Sequence, residues 1–198
     1  MSHKCFISFK KEDIYYKNLL LNYLKKEDIV GKALNEVIDS TDSDYILQKI
    51  REDYLYDSTV TLFLIGKHSS ENEGSDSLGR AHNHFIQREL QSSLYNGRGN
   101  SRNGIVGIVL PEMYNAIYTG VSAQGNETLT LDDSTVIREF GANYFIQPHE
   151  GNVWKPSERY CILVKWNEFI ENPEIYINQA FDKRFSDIAK KIKIRNLR

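Results

Sequence analysis

The fold is indicated by a short stretch near the amino terminus, Cys5-Phe6-Ile7-Ser8-Phe9-Lys10-Lys11-Glu12-Asp13. Its apolar part ends at Ser8-Phe9, polar residues follow, and apolar residues at helical spacing begin at Ile14. This order predicts a strand, a short loop and a helix. In an open α/β sheet, ligands bind beyond the carboxyl ends of the strands, so this loop is well placed for chemistry.

The rest of the chain continues this alternation. Helices are predicted over 14–26, from the polar cluster 39–44 to residue 54, over 83–95 and over 172–193. Strands are predicted over 59–65, 105–110 and 160–166, and short ones near 36–38, 128–131 and 144–146. Such alternation predicts a flavodoxin-like three-layer α/β/α domain with a mostly parallel sheet.

The domain organisation follows from the same reading. We expect 1–198 to form one domain, with a C-terminal insertion at 111–159 folded onto the sheet edge and a closing helix at 172–193. The polar segment 68–81 is long for a strand-to-helix connection, so we expect either a mobile lid or a disordered loop.

Composition excludes several classes of function. Hydrophobic residues make up 40% and charged residues 26% of the 198 residues, which is an ordinary globular balance. A net charge of -2 argues against nucleic acid as the main partner. We expect Cys5 and Cys161 to be buried and reduced, because both lie in apolar strand-like runs. Neither a signal peptide nor a membrane span is recognisable, so a cytoplasmic location is expected.

The motif search leaves one helix of interest. No phosphate-binding loop, dinucleotide fingerprint or cysteine-pair zinc spacing is present, and His82 and His84 are two apart, so we expect no metal site. Phe85 and Glu89 stand at i and i+4 on one helical face. A carboxylate near the strand ends suits cleavage of an N-glycosidic bond, because it stabilises positive charge on ribose. Taken alone, the same helix is more typical of a core Phe85 and a solvated surface Glu89 than of a catalytic site.

The segments in order resemble a known family. The segments concerned are, in order, Phe6-Ile7-Ser8-Phe9, Asp13, Leu62-Phe63-Leu64-Ile65-Gly66 with Ser69-Ser70, Phe85-x-x-x-Glu89 and the strand 105–110. Together they resemble the bacterial TIR-like domains that include the TIR subunit of the Thoeris anti-phage system. The resemblance covers about 4–110. In TIR enzymes the third helix carries an aromatic-x-x-x-Glu pattern whose Glu is catalytic, and Phe85 stands where many members have Trp.

The resemblance implies an NAD+ nucleosidase or ADP-ribosyl cyclase. Glu89 would be the catalytic residue, and Ser8, Phe9, Lys10, Lys11, Asp13 and Phe85 would bind NAD+, which is a substrate rather than a tightly bound cofactor. Ser8 would hydrogen-bond ribose or position Glu89, and the 39–44 loop would lie opposite. The product, linear or cyclic ADP-ribose, would act as a signalling nucleotide for a separate effector protein. Self-assembly and a phage component as trigger are the other implied partners.

Three rival hypotheses remain open at this stage. The chain could be a non-catalytic TIR interaction module, in which Glu89 is a surface residue. It could be a nucleoside deoxyribosyltransferase-like enzyme, which would exchange bases on deoxynucleosides and leave NAD+ untouched. It could also be a flavodoxin-like nucleotide binder without catalysis.

Overall fold

The computed structural model describes residues 3–195 without 28, 34–39, 41, 76, 78, 80, 81, 98, 99 and 152. This part of the chain contains seven strands and seven α-helices. The strands are β1 (Lys4–Ser8), β2 (Val30–Ala33), β3 (Val60–Ile65), β4 (Gly104–Val109), β5 (Tyr118–Val121), β6 (Glu127–Leu129) and β7 (Ile162–Lys165). The helices are α1 (Ile14–Lys26), α2 (Ser43–Lys49), α3 (His84–Leu94), α4 (Tyr114–Ile117), α5 (Arg138–Tyr144), α6 (Trp166–Glu171) and α7 (Pro173–Lys183). A π-helical segment, Ile50–Leu55, continues α2.

Five of the strands form one parallel sheet in the order β2-β1-β3-β4-β7. Every residue of β3 and β4 is buried, as expected for central strands covered on both faces. The order is that of the flavodoxin-like doubly wound sheet, in which the amino-terminal strand lies inside and its successor at the edge. The predicted fold class is therefore confirmed.

Helices cover both faces of this sheet. On one face, α1, α6 and α7 contribute Leu20, Leu24, Phe169 and Ile177 to the core. On the other face, α3 and α5 contribute residues such as Leu90 and Phe140. The side chains of β1 alternate between the two, because successive residues of a strand point to opposite faces. Cys5 and Cys161 are both buried and unpaired.

Two predicted elements near the amino terminus need comment. Helix α1 has the predicted bounds, but Ile14 at its start is exposed. The strand near 36–38 lies outside the described residues, and the strand that the structure shows is β2, earlier in the same stretch. Asp42 in the predicted capping cluster accepts a hydrogen bond from the backbone N–H of Tyr45 at 3.2 Å, so it caps α2.

The predicted insertion contains an antiparallel pair, β5 and β6, followed by α5. The prediction of a strand at 144–146 is wrong, because Tyr144 is the last residue of α5. Phe140 and Tyr144 are i and i+4 on that helix, and their rings stack with centroids 6.1 Å apart. Phe140 also packs on Phe63 of the sheet, so tertiary packing favours the helix over the strand propensity of an aromatic run.

The predicted closing helix is shorter than expected. Helix α7 ends at Lys183, and a separate 3-10 turn, Asp187–Lys191, follows it. The Ser186 hydroxyl donates to the Lys183 carbonyl at 2.7 Å, which satisfies a carbonyl that the next helical turn would have bonded. In α7, Ile175 is exposed, whereas Ile177 is buried.

None of the helices that the structure describes is long and apolar enough to cross a membrane.

Candidate active site

The candidate site is a buried side-chain pair at the carboxyl end of β1. Ser8 is the last residue of β1, and Glu89 lies in the middle of α3. The Ser8 hydroxyl donates a hydrogen bond to Glu89 Oε2, and the two oxygens are 2.5 Å apart. Ser8 is fully buried and Glu89 is 4% exposed. The strand–helix order of the sequence thus brings together two predicted site residues that are 81 positions apart.

Burial dominates the electrostatics of Glu89. It raises the pKa of this carboxyl from 4.5 to about 8, although the hydrogen bond from Ser8 opposes the change. Within the described part of the chain, no ion pair joins Glu89 to a basic residue. With this pKa, Glu89 is mostly protonated at neutral pH.

Asp13 supplies a second buried carboxyl, at the start of α1. Its pKa is raised to about 7, mainly by burial and further by the charges of Glu112 and Glu12. Oδ2 of Asp13 has no hydrogen-bond partner among the described residues. A Cβ atom at Gly66, directly after β3, would overlap the Asp13 carboxylate, so this close approach requires glycine.

The segment between β3 and α3 is tied to the strand ends. Ser69 is fully buried, and its hydroxyl accepts from the Gly66 N–H at 3.1 Å and donates to the Leu64 carbonyl at 3.3 Å. Asn83, the N-cap residue of α3, donates its side-chain amide to the Ser70 carbonyl. These hydrogen bonds fix where α3 begins relative to β3, and thereby where Glu89 lies.

The remaining predicted site residues are Phe9, Lys10, Lys11 and Phe85, and each has its own surroundings. Lys10 reaches across the site and donates to the His82 carbonyl at 3.0 Å. Phe9 packs on the α1 face of the sheet, with the Lys17 ammonium 5.5 Å from its ring centroid. Phe85 packs half-buried against the cluster of Phe6, and Lys11 lies exposed at the start of a 3-10 turn.

Sequence reasoning missed an ionic cluster behind α3. Glu139 of α5 is buried and accepts from Gln91 Nε2 at 2.8 Å and from Arg195 Nε at 2.5 Å. Arg195 also donates to Glu71 at 2.6 Å, and Glu71 accepts from Gln87 Nε2 at 3.3 Å. The cluster therefore holds the helix face opposite to the Ser8–Glu89 pair.

By sequence, Arg195 belongs to a basic run of Lys190, Lys191, Lys193, Arg195 and Arg198, which is typical of a solvated helix end. The structure instead pairs Arg195 with Glu71 and Glu139. Its partners lie 56 and 124 positions away, and no local pattern indicates such contacts. The available signal was Glu139 itself, a charged residue beside the apolar Val136-Ile137 and Phe140 of a helical segment. Arg198, in the same basic run, lies outside the described residues.

Comparison with known proteins places this chain in a family. One similar solved structure is described as "Structure of the activated Roq1 resistosome directly recognizing the pathogen effector XopQ (TIR domains)". It is 12% identical, with a TM-score of 0.37 over 96% of this chain and 84% of that chain, so the assignment does not depend on it. The sequence model of the family described as "Thoeris protein ThsB, TIR-like domain" matches residues 6–114. This match spans more than half of the 198 residues and includes Ser8, Asp13 and Glu89, so the chain belongs to the family of TIR-like domains of the Thoeris protein ThsB.

Proposed function

We propose that this chain cleaves the bond between nicotinamide and ribose in NAD+, with Glu89 as the catalytic carboxylate. The observation that carries the proposal is the Ser8–Glu89 pair, a buried carboxyl at the carboxyl end of β1 in a TIR-like chain. Buried carboxyls with strongly raised pKa values are typical of functional sites.

The charge of the substrate explains why such a carboxyl would be useful. The nicotinamide ring of NAD+ carries a positive charge, and Glu89 lacks a positive partner among the described residues. Binding of this ring favours loss of the Glu89 proton, because an opposite charge nearby lowers the pKa of a carboxyl. The carboxylate then forms only when substrate is present, in surroundings of low dielectric constant where its electrostatic effect is strong.

The reaction transfers this positive charge from the nicotinamide ring to the ribose. When the C1′–N bond breaks, its electron pair leaves with nicotinamide, which becomes neutral, and the ribose becomes an oxocarbenium ion. Glu89 stabilises this ion or holds the ribose hydroxyls, and Ser8 fixes the carboxylate through its hydrogen bond. Water attacking C1′ and losing a proton gives ADP-ribose. Attack by an adenine nitrogen or a ribose hydroxyl gives a cyclic isomer.

The biological setting is part of the same proposal. We propose that the product is a nucleotide signal that activates a separate effector protein in the cytoplasm, with a phage component as trigger and self-assembly completing the site. NAD+ is consumed as substrate.

The test is NAD+ turnover by three chains: wild type, Glu89→Gln and the control Glu150→Gln, which changes an exposed loop carboxylate. Mass spectrometry of small molecules from expressing cells, with and without phage infection, is expected to show an ADP-ribose-derived species for wild type and for the control only. Purified chains assayed up to high concentration would show the same pattern if assembly is needed. Equal turnover by Glu89→Gln and wild type would refute the catalytic assignment.

One observation favours a second candidate, a non-catalytic interaction module. A protonated glutamate that is 4% exposed and hydrogen-bonded by serine is also a suitable structural pair. In that case NAD+ is untouched by every variant in infected cells and at high concentration, and Ser8→Ala changes only the stability of the fold.

A further inference from the structure

A second cavity lies far along the chain from the candidate site, in the region beyond the family match. It is an open cavity with a volume of about 740 Å³, lined by residues of the β5–β6 hairpin and of the segment 145–159. Ligand pockets typically measure about 300–1,000 Å³, so this one has the size of a small-molecule site. None of the predicted site residues lines it.

One wall of the cavity is aromatic and firmly held. The rings of Phe145 and Trp154 lie with centroids 4.9 Å apart, and His149 stacks on Trp154 at 4.4 Å. The indole N–H of Trp154 donates to the Ile146 carbonyl at 3.2 Å, which fixes its orientation. This wall offers apolar surface to a flat or hydrophobic group without further ordering of side chains.

The other important feature is a cation that has no acidic partner among the described residues. Arg159 donates to the Tyr144 hydroxyl at 2.7 Å and to the Trp154 carbonyl, both uncharged groups. Its Nε is buried and has no hydrogen-bond partner among the described residues, and the ion pairs found there do not include Arg159. A half-buried guanidinium in this state gains more from an anion than an exposed one, because water screens it less.

The charges around Arg159 point in the same direction. Lys155 also lines the cavity, and Lys183 Nζ donates to the Arg159 carbonyl at 2.6 Å. Burial and the Arg159 charge lower the pKa of Lys183. The acid in the lining, Glu127, is already paired with Lys165 at 2.5 Å. The lining therefore has an excess of positive charge.

We propose that this cavity binds a small organic anion, whose ring or apolar body lies on Phe145 and Trp154 and whose phosphate or carboxylate meets Arg159 and Lys155. The amide side chains of Gln124, Asn126 and Gln147 supply donors and acceptors for its polar edge. The cavity shares no residue with the Ser8–Glu89 pair.

The experiment uses Trp154 as reporter. The chain has two tryptophans, so Trp166→Phe leaves Trp154 as the single one. Its fluorescence is titrated with AMP, phenylacetate, adenosine and inorganic phosphate, and calorimetry on the wild-type chain provides the stoichiometry. We expect 1:1 binding of AMP or phenylacetate, roughly tenfold tighter than adenosine or phosphate alone, because ring and anion contribute together. Tighter AMP identifies a nucleotide ligand, and tighter phenylacetate identifies a carboxylate ligand.

Variants locate the binding. Arg159→Gln is expected to weaken it roughly tenfold and Lys155→Gln several-fold, Arg159→Lys should retain part of it, and Glu89→Gln should leave it unchanged. Circular dichroism checks that each variant is folded. If Arg159→Gln does not fold, Lys155→Gln tests the role of positive charge instead, because Lys155 is exposed. Three outcomes would overturn the proposal. They are adenosine binding as tightly as AMP, equal affinity of the folded charge variants and wild type, and no response to AMP and phenylacetate at millimolar concentration.

Discussion

Replacing Glu89 by Gln should stabilise the fold, and by an amount that depends on pH. The raised pKa means that the folded chain keeps a proton on Glu89 between pH 4.5 and about 8, where the unfolded chain has lost it. The wild-type free energy of unfolding therefore falls as pH rises through this window and is level above it. Gln cannot ionise, so the advantage of the variant grows over the same range.

The magnitude follows from the size of the shift. From 4.5 to about 8 is about 3.5 pH units, and at about 1.4 kcal/mol per unit this amounts to an upper bound of about 5 kcal/mol. Relaxation of the folded chain around the charge reduces this bound, so we expect about 2–4 kcal/mol at pH 8 and close to zero at pH 4. Gln retains an oxygen that accepts the hydrogen bond from Ser8, so that contact is preserved.

The assay is urea denaturation of wild type, Glu89→Gln and Glu150→Gln at pH 4, 6 and 8. Glu150 is exposed, so its substitution should change the free energy of unfolding by less than about 0.5 kcal/mol at every pH. The other raised carboxyl, Asp13, is present in all three chains and cancels in the differences. A Glu89→Gln chain no more stable than wild type at pH 8 would refute the assignment of Glu89 as a buried carboxyl without a positive partner.

Two further predictions concern charges elsewhere. Arg195→Ala leaves Glu139 buried without its guanidinium and should cost about 3 kcal/mol, whereas Arg138→Ala breaks an exposed pair and should cost under about 1 kcal/mol. Urea denaturation measures the free energy of unfolding of both variants. Adding Glu139→Gln to the Arg195→Ala chain should restore part of the lost free energy of unfolding. An equal loss in the Arg195→Ala and Arg138→Ala chains would contradict the buried pairing. Asp13→Asn should raise the melting temperature at pH 8 but not at pH 4. The reason is that the folded wild type keeps Asp13 protonated between pH 3.8 and about 7, where the unfolded chain has lost this proton. A lower melting temperature at pH 8 would show that Asp13 acts through a contact that Asn cannot make.

The parts of this structure that the sequence predicted correctly are those with local causes. Apolar runs such as 59–65 predict buried strands. The four-residue spacing of Leu20 and Leu24 predicts α1, because residues one turn apart lie on the same buried face of a helix. The resemblance to TIR-like domains, rather than local pattern, implied that Ser8 would hydrogen-bond ribose or position Glu89, and the structure shows a hydrogen bond between the two side chains.

The errors arose where distant parts of the chain decide. Tyr144 is helical because Phe140, one turn earlier, packs on Phe63 of the sheet, and no window of a few residues contains that contact. Helix α7 ends where Ser186 bonds the Lys183 carbonyl, although apolar residues continue beyond it.

The cluster of Glu71, Glu139 and Arg195 has a consequence for how the protein is made. Arg195 follows Glu71 by 124 positions, so the ribosome has synthesised every predicted site residue long before the guanidinium that anchors the back of α3 exists. Until then Glu139 lacks its positive partner, and the helix that carries Glu89 lacks its rear support. A tag or truncation near residue 195 would therefore act on an anchor of the helix that carries Glu89.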